Sequence, residues 1–382
     1  MGRTRAGEGN TGTGKALTAR LVPCSRRRSL PRQSSGVVAL VSAFGLGVTT
    51  ITAAGSLAAT SASASGLGTI FVANFGGGGA TGTAATGSVT SYPGADKGDA
   101  GAWQTIATKI NAPQGVAFDN SGNLWVANSN TNTLFEYARS ALTKASPTPL
   151  VTISSNSAGS LSGPGGLSFD RSGNLWVANT SVSTVVEYDK SQLTKSGAPT
   201  PKVTISNNSF NAPFGVAVDS SGNLWVSDNA QQGSPAVYEY TKADLDKAAP
   251  APHLTISVPF SPIGDDTRCG LVFDSSGDLW LVNSDGNSLL EFAKSDLAKA
   301  GPKPVVTIAA GPAGYLNAPD DLAFDAAGDA WVANTGANTL VEYSKSELAK
   351  SGSPVPARTI SGKATGLNFP MSVAVEPAPK AS

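Results

Sequence analysis

Histidine is nearly absent: His253 is the only one in 382 residues, and cysteine occurs twice, as Cys24 and Cys269. Cys24 falls in a leader expected to be removed, so the mature chain keeps one thiol and no intrachain disulfide can brace it. Charge is also scarce, and the even count of 27 basic and 27 acidic residues conceals an asymmetry. The first 64 residues hold eight of the basic residues and one of the acidic ones, which leaves 19 against 26 and a net charge of −7 for the remainder. An acidic body speaks against nucleic acid or an anionic membrane as the main partner.

The leader has the build of an export signal. Arg26, Arg27 and Arg28 precede an uncharged, largely apolar stretch from Gly36 to Ala59, followed by the small-residue site Ala62-Ser63-Ala64. Residues 1–64 are expected to be a signal peptide, read by the twin-arginine or the general secretory route, leaving a secreted, extracytoplasmic protein with no membrane span. The alternative is an uncleaved signal anchor, since the stretch is long enough to cross a bilayer. The run from Gly9 to Lys15 imitates a phosphate-binding loop, but no strand precedes it and Ala16 replaces the hydroxyl that would hold magnesium.

What the chain has in plenty is repetition. Trp125, Trp176, Trp225, Trp280 and Trp331 recur at intervals of 51, 49, 55 and 51 residues, a period that belongs to solenoids, propellers and arrays. Each unit predicts four strands, as in Gly115–Asp119, Leu124–Ala127, Thr133–Tyr137 and Leu150–Ile153, with a tight reversal at Ser121-Gly122-Asn123. Four antiparallel strands make one propeller blade. The expected fold is all-β, a six-bladed β-propeller over residues 65–382. Its blades lie near 111–154, 162–206, 211–257, 262–308 and 317–361, with a composite blade from 69–108 plus 368–376. In that composite blade the C-terminal strand Asn368–Val375 completes the N-terminal sheet and closes the ring.

The units, which read Pro-x-Gly, then Asp-x-x-Gly-Asn-Leu-Trp-Val-x-Asn, resemble NHL-repeat propellers across roughly Thr69 to Pro377. The pattern is also similar to streptogramin lyase and to the gluconolactonase and senescence-marker group. The lyases would be expected to place histidines at the channel mouth, and His253 instead belongs to an outer strand far from the axis, so neither that activity nor a Ser-His-Asp hydrolase is expected.

Residues found in every blade are read as structural: the ring Asn74, Asn128, Asn179, Asp228, Asn283 and Asn334, the turn aspartates such as Asp119, and the third-strand glutamates such as Glu136. Lysine-bearing inserts between third and fourth strands predict short capped turns whose Leu points inward. Candidate function lies where the repeat breaks. The position before the inner-strand glycine lines the expected channel mouth with Gln114, Gly165, Phe214, Cys269, Asp320 and Met371. Asp266 and Arg268 replace the usual entry to blade five, and Asp320-Asp321 stand where blade six should have Gly.

Asp228, Asp266, Asp320 and Asp321 could together hold Ca2+ or another divalent cation, or Arg268 could neutralise Asp320 or Asp266 in an ion-pair network. Cys269 reads as a small buried apolar residue. The favoured function is a binding module, a monomer taking a small molecule, glycan or protein at the mouth formed by Gln114, Phe214 and these acids. The alternatives are a cation-dependent hydrolase or lactonase and a structural envelope protein using the lysine-bearing face.

Overall fold

The computed structural model describes residues 68–76, 87–206, 210–229, 235–247, 250–257, 269–299 and 301–379. The leader, the centre of the glycine-rich loop between Phe75 and Gly87, Asp266 and Arg268 lie outside the described residues. The strands build six four-stranded antiparallel sheets. Blade one begins with β1 (Thr69–Asn74), β2 (Ser88–Pro93) and β3 (Gln104–Ile106). Blade two is β4 (Pro113–Phe118), β5 (Leu124–Asn128), β6 (Thr133–Tyr137) and β7 (Val151–Ser154). Blade three is β8 (Pro164–Phe169), β9 (Leu175–Asn179), β10 (Thr184–Tyr188) and β11 (Val203–Ile205). Blade four is β12 (Pro213–Val218), β13 (Leu224–Asp228), β14 (Ala236–Tyr240) and β15 (Leu254–Ser257). Blade five is β16 (Leu271–Phe273), β17 (Leu279–Asn283), β18 (Ser288–Phe292) and β19 (Val306–Ala309). Blade six is β20 (Pro319–Phe324), β21 (Ala330–Asn334), β22 (Thr339–Tyr343) and β23 (Arg358–Ile360). The last strand, β24 (Pro370–Val375), returns to blade one and pairs with β1, with Val72 opposite Val373. The chain is thus a six-bladed propeller closed by its own ends.

The core explains why the second strands are apolar without alternation. Successive side chains of a strand point to opposite faces, and in a propeller both faces meet another blade. On β5, Leu124 and Val126 pack toward blade one, while Trp125 and Ala127 pack into a cluster with Leu167, Leu175 and Val177 of blade three. Three junctions are capped by an edge-to-face pair between a tryptophan and the next inner strand: Trp125 with Phe169 at 5.9 Å, Trp225 with Phe273 at 5.8 Å and Trp280 with Phe324 at 5.8 Å. Such pairs add about 0.5–1.5 kcal/mol each beyond area burial. Blade one uses Phe71 in the tryptophan's place, against Phe118 at 5.4 Å.

Two polar devices recur. At the hairpin turn, Asp119 Oδ1 accepts from the Ser121 and Asn123 N–H groups at 2.8 and 2.9 Å, an Asx turn that lets Gly122 take φ 81°. At the opposite end, the last residue of the second strand clasps the segment entering the inner strand in five blades among the described residues. Asn128 Oδ1 accepts from the Asn111 N–H at 2.6 Å, and its Nδ2 donates to the Lys109 carbonyl at 3.0 Å. Asn179 and Asn334 repeat this on Ser162 and Ser160 and on Asn317 and Tyr315. The inserts form single helical turns with Leu142, Leu193, Leu245, Leu297 and Leu348 buried, two of them with capping boxes, Asp189 with Gln192 and Ser344 with Glu347. No helix among the described residues is long and apolar enough to cross a membrane.

Candidate functional site

The inner strands β4, β8, β12, β16, β20 and β24 surround an axial cavity of about 590 Å3. Toward one end, glycines let neighbouring blades approach closely. At Gly115, Gly166, Gly215 and Gly270 the backbone passes against the next blade, where an added Cβ would collide with Gly165 O, Phe214 O, Cys269 O and Asp321 respectively. Only a residue without a side chain permits that approach. Blades six and one carry Asp321 and Ser372 at the same position, so two polar side chains interrupt an otherwise bare ring.

These two are bonded to each other. Ser372 Oγ donates to Asp321 Oδ2 at 2.7 Å, the Val373 N–H donates to the same oxygen at 3.2 Å, and the Val116 N–H donates to Ser372 Oγ at 3.2 Å. The Asp321 carboxyl thereby ties blade six to blade one, and the serine extends the tie to blade two. Burial pushes its pKa up to about 6, with the bonds from Ser372, Val373 and Leu322 pulling the other way. From this end the lining passes Gln114, Phe214 and the apolar walls Val116, Leu271 and Phe324. It reaches Asn120, Ser121, Arg139 and Pro377 at the end that carries the turns and inserts. There Arg139 Nε meets Glu376 Oε1 at 3.0 Å and donates from Nη2 to the Pro377 carbonyl at 2.7 Å, holding the C-terminal segment at the rim.

The residues singled out in the sequence part company here. Gln114, Phe214 and Asp321 line the cavity, whereas Asp228 and Asp320 do not. Asp228 ends β13 and spends its carboxylate on the Asn211 and Ala212 N–H groups, at 3.0 and 2.8 Å. It is the acidic version of the asparagine clasp, and burial raises its pKa against those two bonds. Asp320 is 4% exposed and its Oδ2 accepts from Thr335 Oγ1 at 2.5 Å. Gln114, Asp320 and Met371 occupy bulge positions where the inner strand slips register against its neighbour, which is how one side chain leaves the alternation. Cys269 sits in the core between blades four and five, and burial followed by the charges of Asp320, Asp285 and Asp228 pushes its thiol pKa up. His253 is exposed beside β15, its N–H bonded to the Glu239 carbonyl.

Among the described residues, Asp228, Asp320 and Asp321 form no cluster that could share one ion. The groups that could are Asp274, Asp278 and Glu291 on blade five and Asp325, Asp329 and Glu342 on blade six. The sequence pattern places Asp274 and Asp325 in turns and Glu291 and Glu342 on third strands, and the signal that could have singled the groups out is Asp278 and Asp329 standing where the repeat has Asn.

Residues 111–137 match the NHL repeat model, and no curated protein matches the chain. Solved structures with the same architecture include the periplasmic gluconolactonase of Pseudomonas aeruginosa, at 16% identity and a TM-score of 0.52, over 82% of this chain and 86% of that one. A chain of the nidogen–laminin complex is similar at 12% identity and a TM-score of 0.54, over 81% of this chain and all of that one. The virginiamycin B lyase of Staphylococcus aureus matches at 12% identity and a TM-score of 0.45, over 64% of this chain and 69% of that one. At these identities the likeness is one of fold.

Proposed function

We propose that this is an exported binding propeller that takes a small ligand into its axial channel, with Asp321, Ser372 and Gln114 meeting the ligand's polar group and Phe214 its apolar part. The observation that carries this reading is the axial cavity itself. Its volume falls within the roughly 300–1,000 Å3 of small-molecule sites, and a few polar groups converge at one end of an apolar wall, the usual composition of such sites. Asp321 is anionic above about pH 6, which favours a ligand that donates hydrogen bonds or carries positive charge. The end at the inserts, away from the close-packed glycine ring, is the side from which a ligand would enter. Export rests on the leader alone.

Binding is preferred to catalysis because the side chains that usually act as nucleophile and base are elsewhere: His253 lies on the outside and the Cys269 thiol is held protonated in the core. A second reading draws on the place of Asp321 in the cavity, where burial raises its pKa to about 6 and so suits it to general-base work near neutral pH. It would make the protein a hydrolase of lactones or esters. A thermal-shift screen of sugars, amines and lactones on the mature domain separates the two. The binding reading expects a compound that raises the melting temperature and binds about tenfold more weakly, or about 1.4 kcal/mol, to Asp321→Asn. A compound bound equally well by Asp321→Asn would refute the assignment, and turnover of a lactone that is lost in this variant would establish the hydrolase.

A further inference from the structure

Blades five and six depart from the rest at one position of the hairpin turn. In blade two, Asn123 Nδ2 stands between two carboxylates, donating to Asp119 Oδ2 at 3.0 Å and to Glu136 Oε1 at 2.7 Å. Asn223 does the same in blade four, at 3.0 Å to both Asp219 Oδ2 and Glu239 Oε1. The corresponding residues of blades five and six are Asp278 and Asp329. The backbone anchor is unchanged: Asp329 Oδ1 accepts from the Lys345 N–H at 2.7 Å, as Asn223 Oδ1 does from Lys242 at 3.0 Å. The other branch of the side chain therefore puts an oxygen where two neighbouring acids had a shared donor.

Blade six shows the consequence most clearly. Asp325, Asp329 and Glu342 each offer an oxygen within 4.8 Å of the others. Asp325 is 8% exposed and Glu342 1%, and Asp325 Oδ2 and Glu342 Oε2 are buried with no hydrogen-bond partner. In blade four the matching Asp219 Oδ2 receives both Asn223 and Trp225 Nε1. Buried acceptors left unbonded keep the full cost of leaving water, and more so when charged. Arg358 pairs with Glu342 at Oε1, so a single guanidinium faces three carboxyl groups. Two oxygens on one calcium ion, each at about 2.4 Å, are at most about 4.8 Å apart. The trio fits a single ion, and half-buried Asp329 leaves a side open for water to complete the shell.

We propose that Asp325, Asp329 and Glu342 form a binding site for a divalent cation that prefers oxygen ligands, with calcium the best match. The ion would do in blade six what the asparagine amide does in blades two and four, joining the turn to the third strand. The site is distinct from the axial channel, whose lining includes none of the three, and it stands or falls independently of the channel reading.

The test uses the mature protein carrying Asp278→Asn, which returns the amide to blade five and leaves one all-carboxylate trio. After treatment with chelator, calcium should raise its melting temperature. Terbium should give luminescence excited through tryptophan, because Trp331 pairs in register with Glu342. Adding Asp329→Asn should abolish both responses and raise the melting temperature in chelator above that of the Asp278→Asn parent, since the bridging donor is restored. Adding Asp321→Asn instead should leave both responses intact. No calcium effect on the Asp278→Asn protein, or an effect that survives Asp329→Asn, would overturn the proposal.

Discussion

A Cβ added at Gly215 would lie 2.5 Å from the Cys269 carbonyl oxygen and 2.7 Å from Ser227 Oγ, and the carbonyl is backbone that cannot rotate away. Gly215→Ala should therefore force blades four and five apart at the glycine ring and destabilise the domain by about 1–3 kcal/mol. Gly101, whose added Cβ would approach nothing closer than 3.7 Å, is the control, and denaturant unfolding of the two variants compares them directly. Glu136 gives a second prediction at this scale. Burial first, then the charge of Asp119, pushes its pKa up to about 7, with Asn123 lowering it. Between about pH 4.5 and 7 the unfolded chain is then more ionised than the folded one at this site, so stability falls as pH rises through that window, by up to about 1.4 kcal/mol per unit. Melting temperature should be higher near pH 5 than near pH 8, and Glu136→Gln should flatten the slope; an unchanged slope in that variant would remove Glu136 as its source.

Elements are held at their entrances. In four blades the residue before the inner-strand proline adopts a left-handed conformation, Gly163 with φ 56° and three residues without glycine's freedom, Ala112 with φ 54°, Ala318 with 43° and Phe369 with 52°, which costs those three of order 1–3 kcal/mol apiece. The asparagine clasp beside it supplies the compensating bonds. Asn334→Ala should lose the bonds to Asn317 and Tyr315 and destabilise by about 1–3 kcal/mol, and Ala318→Gly should recover part of that loss by relieving the strain. Additive effects in the double variant would mean that clasp and strain are unconnected. This is also the scale at which the sequence was most legible. The repeat located strands, turns, inserts and clasp asparagines, because each depends on residues within a few positions of one another. The inner ring was less so: Asp321 stood out as a broken glycine position, yet its bonds to Ser372 and Val373 join segments about fifty residues apart. Which acids face the cavity was hidden for the same reason, since a bulge at Asp320 and the clasp geometry at Asp228 turn those carboxylates into the protein.

The whole molecule depends on one non-local joint. Blade one is built from β1, β2 and β3 at one end of the chain and β24 at the other, and Asn74 Oδ1 accepts from the Asn368 N–H at 3.1 Å to clasp the returning segment. Ser372 is bonded to Asp321 of blade six and receives the Val116 N–H of blade two, so β24 closes two interfaces as well as its own sheet. An open repeat array would lose only its last unit on truncation, because each repeat contacts neighbours alone. A closed ring offers no such terminal unit. Removing residues after Gly366 exposes the paired edge of β1 and uncovers the clusters that Val373 and Ala374 share with blades six and two. The truncated protein should then show a lowered melting temperature for the entire domain in one transition, with new edge-driven association at high concentration. A truncated chain that keeps the full-length melting temperature, or that loses one small early transition while the main one stays fixed, would show that the ring does not act as a unit.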